Sequence, residues 1–176
     1  MMVDDLESLI TPDMRACIGS STAALVLPED FSASDVRHFV SVIGETNPIY
    51  HDDASAQRFG YKRCVVPPLM VVISFRRLQS EDGGRPGLEW PGFNLPDGFR
   101  NTRNAGQVYH WMQPVYVGDR LTITIRLADL LAKRTRTGLP MILIVSEVEM
   151  RNQDGELILR QVNHDAKLPM ASFKAS

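Results

Sequence analysis

The sequence has only two cysteines, Cys17 and Cys64, among its 176 residues. Two cysteines are too few for a disulfide framework, and these two do not form the C-x-x-C pair of a redox or zinc motif. A reducing, cytoplasmic location is therefore the simpler expectation. No pair of the four histidines has metal-ligand spacing with a third ligand nearby, so we expect no metal site.

Long apolar runs and a strong charge of one sign are also missing. No stretch approaches the roughly 18 apolar residues that indicate a membrane span, and the first residues, MMVDDLESLI, carry acids where a signal peptide has a basic start. The formal net charge is −2, which gives no global signal for nucleic acid or for an anionic membrane. Because a G-x-G-x-x-G or P-loop motif is absent, nucleotide binding by those routes is not expected.

The overall composition is that of an ordinary globular protein, with 44% hydrophobic and 23% charged residues. A chain of this length suits one domain with a substantial core. We therefore treat residues 1–176 as a single domain.

The first clear helix signal starts at Ser32, a capping residue with Asp35 three positions on. Gly44 is a natural end for this helix. Its predicted buried face repeats at helical spacing and consists of Val36, Phe39, Val40 and Ile43. After a polar loop, Asp53 is expected to cap a short helix that ends at Gly60.

A second helix signal follows the pair Pro67-Pro68. The run LMVVISFRRL is apolar on nearly every side and rich in valine, so periodicity alone does not separate helix from strand. Proline fits the first turn of a helix, where its missing N–H is not needed. Because a helix that is apolar all round must be buried, we interpret residues 67–79 as a central helix wrapped by a sheet.

The rest of the chain is predicted to be mainly strand. Residues 1–30 are expected to form an entry segment with a short helix and a strand, and residues 80–106 a long loop. From residue 107 the pattern changes to strands, with apolar and polar residues alternating over 120–127 and further strands at 141–150 and 156–168. Helices followed by antiparallel strands indicate an α+β domain.

Three segments together resemble the MaoC-like dehydratase family, and more closely its FAS1-like dehydratase half. They are FSASDVRHFVSVIGETNPIYHDD, GYKRCVVPPLMVVISF and HWMQPVYVGDRLTITIRL. The resemblance covers about residues 5–168 and implies a hot-dog fold, in which an antiparallel sheet wraps around a central helix. It also implies action on acyl thioesters, with coenzyme A or phosphopantetheine as part of the substrate and no separate cofactor.

The resemblance also points to site residues, with departures from the family pattern. The catalytic aspartate and histidine of the family fall on Glu45 and Tyr50, and His51 lies one place further on. Pro68-Leu69 occupies the region where catalytic members carry a His-Gly pair. These departures resemble the non-catalytic halves that pair with a catalytic hot-dog subunit.

Hydration of a 2-enoyl thioester needs a base, an acid and donors for the thioester oxygen. If the chain catalyses alone, Glu45 and His51 are the candidate base and acid, with Asn47 beside them. The alternative is that Glu45 and His51 are solvated loop residues and Asn47 a turn former. The candidate substrate-binding residues are Tyr50 in the same loop, and Leu69 and Met70 at the helix start, where backbone N–H groups face the ligand.

Basic residues cluster in two parts of the chain. Lys62, Arg63 and Arg134 are our first candidates for binding the phosphates of coenzyme A or of a phosphopantetheine carrier. The alternative is that they are solvated faces of strands and loops.

Three functions therefore stay open. The first is a 3-hydroxyacyl-thioester dehydratase or enoyl-thioester hydratase subunit that shares its site with a partner. The second is a non-catalytic acyl-binding and stabilising subunit, and the third is a hot-dog thioesterase. Because one curved sheet leaves an edge that must be covered, we expect a homodimer, or a heterodimer with a catalytic MaoC-like subunit. We expect neither nucleic acid nor membrane as a partner.

Overall fold

The computed structural model describes residues 5–27, 30–81 and 94–170, with only the backbone for residues 75–81. The helices are α1 (Pro12–Ala16), α2 (Ala33–Ile43), α3 (Asp53–Arg58) and α4 (Pro68–Glu81), and two 3₁₀ turns lie at Leu6–Leu9 and Pro48–Tyr50. The strands are β1 (Leu25–Val26), β2 (Asn101–Trp111), β3 (Thr122–Arg134), β4 (Pro140–Arg151) and β5 (Leu157–Leu168). Within the described ranges every helix is too short or too polar to span a bilayer.

The five strands form one sheet in the order β1-β3-β4-β5-β2. All neighbouring strands are antiparallel, and the helices precede the four long strands along the chain. The α+β prediction is therefore confirmed, as is the predicted entry segment with a short helix and a strand.

The two faces of the sheet differ in chemistry because side chains alternate along each strand. One face, called the core face below, joins the hydrophobic core that also contains Val71 of α4. Its buried apolar side chains are Ile123, Ile125, Leu127, Leu130, Ile142, Ile144, Val148, Met150 and Leu159. The opposite face carries exposed ion pairs such as Arg126–Glu147.

The central helix is confirmed as a helix, but its burial is one-sided. Val71 is fully buried in the core and Met70 packs against it half-buried. Leu69 and Ile73 are 54% and 41% exposed, so the expectation of burial on all sides is wrong for these two residues in the single chain. Leu69 and Ile73 are four residues apart and therefore share one helix face. The sequence alone does not show that this apolar face is exposed.

The capping of the first long helix follows its sequence signals. The Ser32 hydroxyl accepts a hydrogen bond from the N–H of Asp35 at 3.1 Å, and Gly44 ends α2 with a left-handed φ of 69°. The expectation for α3 needs a correction, because its cap is Asp52, which accepts from the N–H of Ser55 at 2.7 Å. Asp53 is the first helical residue instead. Two adjacent aspartates give the same capping signal in the sequence, and tertiary contacts determine which of them caps the helix.

The predicted loop at 80–106 is also corrected. Residues 82–93 lie outside the described residues, α4 continues to Glu81, and β2 begins at Asn101 rather than at residue 107. The first part of β2 contains a bulge between Asn104 and Gly106, which breaks the alternation that marks a strand. Pairing with β5, rather than local pattern, makes this segment a strand.

Candidate active site

The loop after α2 is held by hydrogen bonds to its own backbone. The exposed Glu45 side chain accepts through Oε1 from the N–H groups of Thr46 and Asn47, both at 2.8 Å. The Asn47 side chain accepts from the N–H of Ile49 at 3.2 Å and so caps the turn Pro48–Tyr50. These two polar side chains therefore stabilise the conformation of the loop.

His51 ends the same 3₁₀ turn and is exposed. Its backbone N–H donates to the carbonyl of Pro48 at 3.1 Å. The structure thus places Glu45, Asn47 and His51 in one loop on the protein surface, with the Glu45 carboxylate already accepting two hydrogen bonds.

Tyr50 lies deeper than the other candidates in the loop. It is half-buried and packs against both hydrophobic clusters, the main core and a small one built from Ile49, Ala56 and Val65. Burial raises the pKa of the Tyr50 phenol, and the negative charge of Glu45 and the nearby Tyr61 raise it further. The phenol therefore stays protonated over the whole physiological range and can donate a hydrogen bond.

The loop is tied directly to the segment that leads into α4. The N–H of Val65 donates to the carbonyl of Ile49 at 3.0 Å, and the N–H of Val66 donates to Val115 at 2.8 Å. The Asp53 carboxylate accepts from the N–H of Cys64 at 2.7 Å. The loop that contains Tyr50 and the segment that leads into α4 therefore form one hydrogen-bonded unit.

The start of α4 offers fewer donors than its sequence suggests. Pro68 has no N–H, and the N–H groups of Met70 and Val71 both donate to the carbonyl of Pro67, at 2.9 and 3.3 Å. The N–H of Leu69 has no acceptor among the described residues. Leu69 rather than Met70 is therefore the backbone donor available to a ligand here, at the positive end of the helix dipole.

Arg63 lies in the segment that leads into α4 and is held by a buried carboxylate. Its Nη2 donates to Oδ1 of Asp119 at 3.1 Å, and its guanidinium lies 5.6 Å from the centre of the Tyr116 ring. Asp119 is 1% exposed and also accepts from the N–H of Tyr116 and the side chain of Gln153. The segment HWMQPVYVGDRLTITIRL contains Asp119, but this role was not predicted, because Arg63 and Gln153 are distant along the chain.

The basic candidates do not form one group within the chain. Lys62 is exposed beside Arg63. Arg134 lies at the far end of β3, where its Nη1 donates to the carbonyl of Gly138 at 3.1 Å. The length of β3 separates it from the Asp119 end of the strand by about 40 Å, so Arg134 does not share a phosphate with Lys62 and Arg63 in one chain.

Two buried amides on β5 escaped the sequence analysis altogether. Gln161 and Asn163 are 2% and 8% exposed on the core face. The alternation along LILRQVNHD could have identified them, because it places both amides on the same face of the strand as the apolar Leu159. The described part of the chain holds no group of three or more His, Cys, Asp or Glu residues able to bind a metal ion.

Comparison with known proteins agrees with this architecture. The chain is 28% identical over 99 residues to a UPF0336 protein of Streptomyces avermitilis, a match covering 55% of this chain and 60% of that protein. It is 26% identical over 91 residues to a mitochondrial 3-hydroxyacyl-[acyl-carrier-protein] dehydratase of Arabidopsis thaliana, covering 52% and 45%. In both cases the match spans less than two thirds of the relative.

The fold is shared with the ChsH1-ChsH2 complex from Mycobacterium tuberculosis. The TM-score is 0.69 at 18% identity, and the match covers 99% of this chain and 97% of the other. The model of the FAS1-like, dehydratase domain region matches residues 16–161. The resemblance drawn from the three sequence segments is confirmed: the chain has the hot-dog fold of the MaoC-like dehydratases and belongs to the FAS1-like dehydratase domain family.

Proposed function

We propose that this chain is one subunit of a two-subunit acyl-thioester dehydratase/hydratase. It would bind the thioester at the start of α4 and the acyl chain along the core face, while the partner supplies the acid and base. The observation that carries the proposal is the coupling of the Tyr50 loop to the start of α4 through the hydrogen bond between Val65 and Ile49. This links the loop that carries a neutral phenol to the segment that leads into the helix N-terminus.

Two groups of this unit suit a thioester oxygen. The N–H of Leu69 lies at the helix N-terminus without an acceptor among the described residues, and the phenol of Tyr50 is kept protonated by burial. Hydration and dehydration both pass through an enolate-like state with negative charge on that oxygen. Preorganised donors stabilise this charge more than they stabilise the ground state.

The loop candidates suit the proton transfers less well. Glu45 is exposed and accepts two backbone hydrogen bonds through Oε1, which favour a fixed, solvated carboxylate over one aimed at substrate. The His51 side chain is exposed at the end of its turn. An aspartate and a histidine on a partner chain would then add water to Cβ and deliver the proton to Cα, or run the reverse.

Two surfaces suit a partner of the same fold. Among the described strands β2 has a neighbour on one side only, and it is 11 residues long. Exposed apolar side chains lie on or beside it at Val108, Trp111 and Met112, and on α4 at Leu69 and Ile73. A long, apolar sheet edge is normally covered by pairing. The likeness to a two-component complex of Mycobacterium tuberculosis supports a partner here.

The thioester carrier would bring its own phosphates, and no separate cofactor is needed. Lys62 and Arg63 are the side chains proposed to bind these phosphates, because both are exposed and directly precede the segment that enters α4. Arg63 keeps 45% of its side chain exposed while Asp119 and Tyr116 hold its direction. Arginine held in this way is suited to phosphate recognition.

The test is hydration of crotonyl-CoA by the purified chain, alone and after co-expression with MaoC-like chains whose loop carries the aspartate-histidine pair. We expect little activity from the chain alone and full activity from a complex. A partner whose aspartate and histidine are replaced by asparagine and alanine is the matched control. Full hydration by the chain alone would contradict the two-subunit proposal.

The same assay separates the thioesterase alternative. Release of free coenzyme A from crotonyl-CoA, measured with a thiol reagent, would report hydrolysis instead of hydration. Thiol release without formation of 3-hydroxybutyryl-CoA would overturn the dehydratase/hydratase proposal.

A further inference from the structure

Strand β5 places buried amide side chains in the apolar core face. Gln161 and Asn163 are 2% and 8% exposed and follow the fully buried Leu159 on the same side of the strand. Their cross-strand neighbours are Val148 and Ser146 on β4, and Tyr109 and Gln107 on β2. Ser146 is 1% exposed, whereas Gln107 and Tyr109 are half-buried. The cluster is therefore closed on the β4 side and more open towards β2.

One hydrogen-bond acceptor in this cluster has no donor. The side-chain nitrogen of Gln161 donates to Oδ1 of Asn163. The Gln161 Oε1 atom is buried and has no hydrogen-bond partner among the described residues. A buried carbonyl without a donor is costly, and buried polar atoms normally have partners. A donor from outside the described side chains is therefore expected at this point.

The position of the cluster tells which part of a ligand would reach it. The N–H of Gln113 donates to the carbonyl of Ile158, and the carbonyl of Val115 accepts from Val66, just before α4. The Ile158 end of β5 is therefore the end near the start of α4. Gln161 and Asn163 lie three and five residues further along, about 10 and 17 Å at the usual rise of a strand.

We propose that Gln161 and Asn163 form a polar subsite for a hydroxyl group on the acyl chain, remote from the thioester. The hydroxyl would donate to Oε1 of Gln161 and accept from the side-chain nitrogen of Asn163. This inference rests on the proposed function, because that function puts the thioester at α4 and the acyl chain along the core face. It adds that the acyl chain of the substrate carries a hydroxyl group remote from the thioester.

The physical basis for this selectivity is the unpaired acceptor. A plain hydrocarbon at the subsite would leave Oε1 of Gln161 unpaired, whereas a hydroxyl would satisfy it. Sites built to pair a substrate hydroxyl discriminate against the analogue that lacks it. Gln161 is therefore a specificity-determining residue in this proposal.

The experiment measures binding of dodecanoyl-CoA and its ω-hydroxy form to the full chain, in its complex if one forms, by titration calorimetry. We expect the hydroxylated ligand to bind at least about tenfold more tightly. Hexanoyl-CoA and its ω-hydroxy form are the short matched pair, whose hydroxyl does not reach Gln161, and here we expect no preference.

Gln161→Leu should abolish the preference for the long hydroxylated ligand. Gln161→Met is the second variant if Gln161→Leu does not fold.

Thermal unfolding of the same variants separates a binding role from a structural one. Gln161→Leu removes the unpaired acceptor but also the donor to Oδ1 of Asn163, so a modest fall in unfolding temperature is compatible with a binding role, provided that the preference for the long hydroxylated ligand is lost. The exposed Gln113 provides the control Gln113→Leu, which should change neither binding nor stability. A large fall in the unfolding temperature of Gln161→Leu with an unchanged ligand preference would overturn the inference.

The remaining outcomes are also decisive. Equal affinity of the wild type for the two long ligands would overturn the subsite and leave the proposed function standing. Binding of neither ligand, with or without a partner, would remove the proposed function and this inference with it.

Discussion

The buried carboxylate of Asp119 accepts a hydrogen bond from Arg63 at 3.1 Å, across 56 residues of sequence. This contact joins the turn before β3 to the segment before α4. Gly118 contributes by its left-handed φ of 87°, and a Cβ added there would come within 3.5 Å of the Arg63 guanidinium. Gly118 and Asp119 therefore fix the direction of Arg63, which lies in the segment that leads into α4.

Replacing this carboxylate should destabilise the fold. Asp119→Ala removes the acceptor of the Arg63, Gln153 and Tyr116 donors. We expect the free energy of unfolding in urea to fall by about 2–3 kcal/mol, the range for hydrogen bonds to a buried charged group. Asp30→Ala is the matched control, because its pair with Arg120 is exposed and should contribute about 1 kcal/mol or less. Equal effects of the two substitutions would refute this role of Asp119.

The Tyr50 phenol should titrate above its ordinary pKa of 10.0. The folded-state pKa is raised, chiefly by burial, so the folded protein holds its proton where the unfolded chain releases it. Stability is therefore retained below pH 10 and falls as the pH rises beyond that value. The difference in ultraviolet absorbance between wild type and Tyr50→Phe, followed from pH 8 to 12, reports this titration. Glu45→Gln should lower the Tyr50 pKa, and an ordinary pKa in the wild type would refute the prediction.

The two cysteines should differ in reactivity. Burial raises the pKa of the Cys64 thiol, and the carboxylates of Asp53 and Asp52 raise it further, whereas Cys17 is only half-buried. Since the thiolate is the reactive form, a thiol reagent at pH 7.5 should label Cys17 faster. Cys17→Ser and Cys64→Ser assign the two phases. Faster labelling of the Cys17→Ser variant than of Cys64→Ser would be the opposite of the expected result.

The exposed edge at β2 should be the association surface. Val108→Lys puts a charge on the edge strand, a feature that blocks edge pairing, and should convert the assembled protein into a monomer. Val42→Lys is the control, because Val42 is 71% exposed and lies on α2 rather than on β2. Size-exclusion chromatography with light scattering gives the mass. An unchanged assembly in Val108→Lys would place the interface elsewhere.

Local patterns predicted the parts of this fold that local forces determine. Ser32 and Gly44 mark the ends of α2 because a cap is made by a few adjacent residues. The start of β2 was missed because pairing with β5, far along the chain, creates the strand. The role of Asp119 was missed for the same reason, since Arg63 and Gln153 lie far from it along the chain.

The most direct test of the central claim uses the assembled enzyme with altered loop residues. Crotonyl-CoA hydration is measured for the complex in which this chain carries Glu45→Gln and His51→Ala together. If the partner supplies the acid and base, the rate stays within about twofold of the wild-type complex. A loss of a hundredfold or more, the usual cost of removing a general acid or base, would show that the chemistry belongs to this chain and would contradict the account.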